Sequence, residues 1–222
     1  MSVHVLAIDT AGEFGSIALV CERGVIEEVA LASPDGFAHV LFHEIERLLD
    51  RRGVPLAQID AFASASGPGS FTGVRVGLAA VKGLAEAAGT KVVAVSNLQA
   101  MAGYGSRPLR AAVLDARRGE VYGGVYDEML HLVQPEVVAS LPLWLASLPQ
   151  GELEFITRGL VLGTLPGPTL EAPMSLAGSI GSIALNRFFK GEALDPGEID
   201  ANYVRRSDAE LLWKDLRVAP HR

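Results

Sequence analysis

A chain of 222 residues, 49% hydrophobic and with 24 glycines, is long enough for one large domain or two small lobes around a good core, and it needs neither metal nor disulfide to fold. Its 19 Lys and Arg against 26 Asp and Glu give a net charge of −7, which excludes strong sequence-independent attraction to a phosphate backbone; its single cysteine, Cys21, excludes a disulfide framework and a thiolate zinc site. No apolar run reaches bilayer length and Met1 to Ala7 lacks the basic start of a secretory signal, so the expectation is a soluble, cytoplasmic protein that touches no membrane.

Three strands open the chain: Val3 to Ile8, Ser16 to Cys21 and Val25 to Leu31, with turns at Ala11-Gly12-Glu13 and Glu22-Arg23-Gly24. Asp9 closes the first strand and allows two readings. Together with Thr10 and Gly12 it can form a weak, vestigial phosphate site of the kind actin-like ATPases and sugar kinases use for Mg-phosphate, or it can open a turn by bonding its own backbone. Gly36 to Arg52 reads as an amphipathic helix with Phe37, Leu41, Ile45, Leu48 and Leu49 on its apolar arc. His39 and His43 have the spacing of a helical metal pair, but they share a side with Glu46 and Asp50, and a solvated face is the better reading.

Ile59 to Ala65 is a buried strand, and the block Gly67-Pro68-Gly69-Ser70-Phe71-Thr72-Gly73-Val74-Arg75 turns it into a helix running to Ala88. Such a turn can present free amides to an anion or can be a tight connection with no ligand. On the helix, Arg75, Ala79, Lys82 and Glu86 form one narrow polar stripe, with Val74, Leu78, Val81 and Ala85 on one side and Gly77, Ala80, Leu84 and Ala87 on the other. A helix apolar on more than one face is central to a core or shared with a second subunit.

Lys91 to Val95 follows as a strand and Ser96 caps a short helix from Asn97 to Gly103. Then the opening pattern returns: Ala111 to Leu114 leads to Asp115, a turn at Ala116-Arg117-Arg118-Gly119 and a strand from Glu120 to Tyr126. This predicts an internal duplication with a lobe boundary near Gly105 and Pro108, giving lobes of residues 1–105 and 106–222. The second copy suits phosphate poorly; Arg117 and Arg118 either bind an anion by side chain or, as favoured here, are surface charges. Beyond Pro135 the pattern weakens: a helix from Leu141 to Leu148, a short strand near Leu160 to Leu162, a clearer helix from Ala177 to Phe189, and a basic end that begins at Asn202.

Leu6-Ala7-Ile8-Asp9-Thr10, the Gly67 to Arg75 block, Asp115-Ala116-Arg117-Arg118-Gly119-Glu120-Val121-Tyr122 and Tyr203-Val204-Arg205 resemble the TsaB (YeaZ) family, bacterial partner proteins in forming threonylcarbamoyladenosine in tRNA. The resemblance implies an α/β fold of the actin-like (ASKHA) type, duplicated into two lobes, each with a mixed sheet flanked by helices. It implies a non-catalytic scaffold that binds and activates the catalytic subunit TsaD, with TsaE as a further partner, a homodimer when alone, and tRNA met only through the complex. Where TsaD-type proteins carry a paired-histidine VHHMEGH segment, this chain reads Val95-Ser96-Asn97-Leu98-Gln99-Ala100-Met101, so no metal is expected. No catalytic residue and no cofactor are expected either, apart from a weak or interface-bound adenine nucleotide. In the family the first helix usually opens His-Ser/Thr and has a proline mid-helix; Phe37-Ala38 and His43 stand there instead.

The expected partner surface is Phe37, Leu41 and Ile45 on the first helix with Val74, Arg75, Leu78, Val81, Lys82 and Ala85 on the second, packed as a helical bundle. The alternative function is a small actin-like ATPase or kinase using the Asp9 hairpin and the cleft between lobes. Direct tRNA contact through Arg117, Arg118 and the basic tail would matter only inside a complex.

Overall fold

A computed structural model describes residues 2–33, 36–159, 163–202 and 204. The first sheet holds β1 (Val5–Asp9), β2 (Gly15–Cys21), β3 (Gly24–Leu31), β4 (Ala61–Ala65) and β5 (Lys91–Val95) in the order β3-β2-β1-β4-β5. The first three pair antiparallel and the last two add parallel. The second sheet repeats this plan with β6 (Leu109–Arg117), β7 (Glu120–Tyr126), β8 (Leu132–Ser140), β9 (Leu153–Thr157) and β10 (Thr169–Glu171), in the order β10-β9-β6-β7-β8. The duplication expected from the Asp9 and Asp115 segments is therefore present throughout both sheets, in an actin-like α/β fold.

Central strands β1 and β4 are buried at every residue, which is why they read as continuous apolar runs rather than alternating ones. Helices cover both faces of this sheet. Ile8 and Ser64 face α2 (Phe71–Ala88), whereas Ala7 and Val20 lie under Gly181 of α5 (Ala177–Phe189). On the edge, α1 (Leu41–Arg52) follows a 3-10 turn at Phe37–His39 and packs on β2 and β3. Arg51 and Arg52 of α1 both pair with Glu27 of β3, fixing the helix to the strand. The break between turn and helix separates His39 from His43, both exposed, so their spacing is not that of one continuous helix.

The boundary near residue 105 divides the strands but not the helices. Although α5 follows the last strand of the second sheet, it packs on β1, β2 and β4 of the first. First-sheet residues also satisfy its N-terminal amides: Ser16 Oγ accepts from Leu176 and Ala177, and Glu28 Oε1 accepts from Gly178. The reverse exchange is made by α3 (Asn97–Ala102), which packs on β6 and β7. One continuous apolar core thus joins the first sheet to Ala112, Leu114, Tyr126 and Ile156 of the second. A smaller core lies outside the second sheet around Trp144 of α4 (Leu141–Ala146), whose indole fits over Gly123.

Strands β8, β9 and β10 have no counterpart in the sequence reading. The expected strand at residues 160–162 lies outside the described residues, as do Tyr203 and the basic tail from Arg205 onward.

Candidate functional site: the Asp9 hairpin and the cleft between lobes

Both readings of Asp9 meet at one buried carboxylate. Oδ1 accepts from the Ala11 amide at 3.0 Å, the local turn bond, and from Asn97 Nδ2 at 3.3 Å. Oδ2 lies 3.5 Å from Nη1 of Arg158, at the end of β9, and the two side chains are 0% and 9% exposed. Arg158 also donates to the Met174 carbonyl at 3.3 Å. A Cβ added to Gly12 would lie 3.3 Å from Arg158 Nη2. The small hairpin residue thus accommodates a guanidinium from the second sheet, in the space beside Asp9 where Mg-phosphate chemistry would need an ion.

Thr10 does not face that space as a ligand would: its buried hydroxyl donates to the Gly73 carbonyl at 2.7 Å. The glycine-rich turn also bonds within the chain. Ser70 N donates to Ala11 O at 2.6 Å, and Ser70 Oγ accepts from Gly73 N at 3.2 Å as the cap of α2. Added Cβ atoms at Gly69 and Gly73 would lie 2.4 Å from Ala11 O and 1.9 Å from Thr10 O. These glycines let the turn lie backbone to backbone against the Asp9 hairpin, as the packed reading expects, while Gly69 and Ser70 remain exposed.

Asp115 repeats the local bond of Asp9, accepting from Arg117 N at 2.6 Å. Arg117, Arg118 and Gly119 follow with φ of 67°, 57° and 79°, a left-handed run that closes the β6–β7 hairpin with both arginine side chains exposed. Between the two hairpins lies a cleft of about 820 Å³. Its charged lining is mixed, with Arg117 and Arg158 opposed by Glu13 and Asp115.

The Val95 to Met101 segment, which stands where TsaD-type sequences carry paired histidines, makes packing bonds here. Ser96 caps α3, Asn97 ties Asp9 to the Gly67 amide, and Gln99 bonds the Leu130 carbonyl. Ser96 also donates to Glu136 of β8, as do Tyr126 Oη and, at 2.5 Å, Asn202 Nδ2. Burial and the adjacent Glu136 carboxylate push the Tyr126 phenol far up, so it remains a donor. Because Asn202 N also donates to Ser66 O, this carboxylate joins the first lobe, β8 and the C-terminal segment.

The expected partner surface needs correction. Phe37, Leu41, Ile45, Val74, Leu78, Val81 and Ala85 are buried at 9% exposure or less in the chain's own core, against the first sheet. Of the residues expected to meet a partner, Arg75 is exposed and Lys82 half-buried. The outward face holds other residues: Phe42 and Phe71 at 55% and 46% exposure, then Ala79 and Gly83. Arg75 stacks on the Phe71 ring at 3.7 Å.

Arg158, Glu136 and the outward apolar positions are what sequence reasoning missed. Arg158 follows Phe155-Ile156 and precedes Gly159, a strand-end signal that could have flagged it.

A family model described as TsaD, tRNA N6-adenosine threonylcarbamoyltransferase, matches residues 28–179. The tRNA threonylcarbamoyladenosine biosynthesis protein TsaB of Bacillus subtilis (strain 168) is 30% identical over 94% of this chain and 97% of its own length. The TsaB of Escherichia coli (strain K12) is 32% identical over 96% and 98%. Among solved structures, YeaZ from Pseudomonas aeruginosa superposes with a TM-score of 0.76 at 29% identity, covering 90% of this chain and 99% of that one. The activator of 2-hydroxyisocaproyl-CoA dehydratase from Clostridium difficile, with bound ADPNP, has a TM-score of 0.52 at 7% identity over 91% and 99%, a likeness of fold alone.

Proposed function

The chain belongs to the TsaB family, and on that premise we propose that it is a non-catalytic subunit of tRNA threonylcarbamoyladenosine synthesis that binds and activates TsaD. The observation that carries the non-catalytic part is the Asp9–Arg158 pair. An arginine beside the first-lobe carboxylate supplies the positive charge that a metal would otherwise bring, and it does so within the fold. The same pair opposes the ATPase or kinase alternative.

The surface proposed for TsaD is the outward side of α1 and α2, centred on Ala79 and Gly83 and flanked by Phe42, Phe71 and Arg75. Small residues let a partner helix approach closely, while the aromatic residues and arginine supply the side chains that commonly dominate interface energy. Without TsaD the same face pairs with a second copy. TsaE joins the assembly, tRNA is met through the complex, and any adenine nucleotide lies at the interface rather than against Asp9.

Reconstitution with TsaD, TsaE and the TsaC-type synthase tests the reading by measuring modified adenosine in tRNA. Product should require this chain together with TsaD and should be absent with this chain replacing TsaD. Full TsaD activity without it, or product from this chain in place of TsaD, would refute the proposal.

A further inference from the structure

Away from the hairpins, a second pocket of about 500 Å³ opens between α3, α5 and the β7–β8 turn. Its shape is fixed by the chain itself. Asp127 Oδ1 accepts from the amides of Met129 and His131, and Gln99 Nε2 donates to Leu130 O at 2.9 Å, holding the turn against α3. A preformed cavity of this size suits a small molecule.

One cation in the pocket wall is incompletely matched. Arg187 donates to two neutral acceptors, Ala94 O at 2.8 Å and Gln99 Oε1 at 2.7 Å, and no carboxylate among the described residues lies within ion-pair distance of it. A guanidinium has more N–H donors than these two bonds use. Burial lowers its pKa, with Glu192 acting the other way from a distance. The wall is mixed: Leu130, Leu132 and Ile183 give it an apolar side, and His131, Ser179, Ser182 and Asn186 a polar one.

We infer that this pocket binds a small amphipathic carboxylate, its charged end on Arg187 and its apolar body along Leu130, Leu132 and Ile183. The planar carboxylate matches the guanidinium fork, and the apolar side rewards a ligand with a hydrocarbon part. Lys190 in the same wall adds attraction, and Glu192 opposes any anion, a dianion such as phosphate more than a monocarboxylate.

The full-length protein, labelled with nitrogen-15, is titrated with hexanoate, hexanamide and inorganic phosphate while the amides of Gln99, Leu130 and Ile183 are followed. Hexanoate should saturate these shifts with a Kd about tenfold below that of hexanamide, and Arg187→Gln should remove that advantage. Leu132→Asp, at a residue 53% exposed, places a like charge on the wall and should weaken hexanoate by about tenfold without unfolding the chain. Equal binding of acid and amide, displacement of hexanoate by equimolar phosphate, or unmoved amides in the wild type would overturn the assignment. Should Arg187→Gln fail to fold, Leu132→Asp decides alone, and unchanged hexanoate affinity there would overturn it.

Discussion

Asp9 at the end of β1 and Arg158 at the end of β9 stand 3.5 Å apart, one from each sheet and separated by 149 residues of sequence. The two strands occupy different positions in the repeated plan, so the pair joins the lobes rather than repeating within them. A buried pair of this kind contributes little net stability against apolar replacements, but either charge left alone is costly. Each charge therefore depends on the other inside the fold.

Arg158→Ala should destabilise the protein by about 3 kcal/mol, because it leaves the buried Asp9 carboxylate without its counter-charge. Asp9→Asn in the same chain should recover more than half of that loss. Urea melts of the two single variants and the double variant give the coupling. Additive losses would mean that the pair does not interact.

Gly73→Ala should cost about 3 kcal/mol, since its Cβ would fall 1.9 Å from the Thr10 carbonyl and both partners are backbone. Gly83→Ala, ten residues along α2, meets nothing within 4 Å and should stabilise the isolated chain by about 1 kcal/mol through helix propensity. Thermal melts at a dilution where the chain is monomeric distinguish them. A harmless Gly73→Ala would contradict the close approach of turn and hairpin.

Glu22 accepts from Ser2 Oγ at 2.7 Å and Val3 N at 2.9 Å, and these bonds lower its pKa from 4.5 to about 2. A pKa depressed by folding contributes stability that is complete above the unfolded value and is lost as pH falls through the folded one. The melting-temperature gap between wild type and Glu22→Gln should therefore be flat above about pH 5 and shrink between about pH 4.5 and 2. A gap that widens on acidification would reverse the sign.

The opening strands, the turn block and α2 were legible because local rules govern them: apolar runs between glycine turns, the Ser70 cap, and helical spacing to Ala88. β8 was not, because Pro135 speaks against a strand unless the strand lies at a sheet edge, as β8 does. The apolar faces of α1 and α2 were also legible, yet Leu78 and Val81 were assigned to a partner when the first sheet covers them. Sequence periodicity shows how many faces of a helix are apolar, not which of them the chain buries itself. Arg158 escaped for a related reason: its place at a strand end was readable, but its partner Asp9 lies 149 residues away and no local pattern pairs the two.

The central claim is that this chain acts by docking the outward face of α1 and α2 on TsaD. Leu78→Asp would be a poor test, since that residue is 5% exposed and its loss would unfold the core. Ala79→Asp leaves the core intact and puts one charge at the middle of the proposed contact. In size-exclusion chromatography with light scattering, the wild type should form a dimer alone and a complex with TsaD. Folded Ala79→Asp should be a monomer and should bind TsaD on the order of 100-fold more weakly, as an unpaired buried carboxylate requires. A wild-type monomer indifferent to TsaD, or Ala79→Asp binding TsaD as tightly as the wild type, would contradict the account.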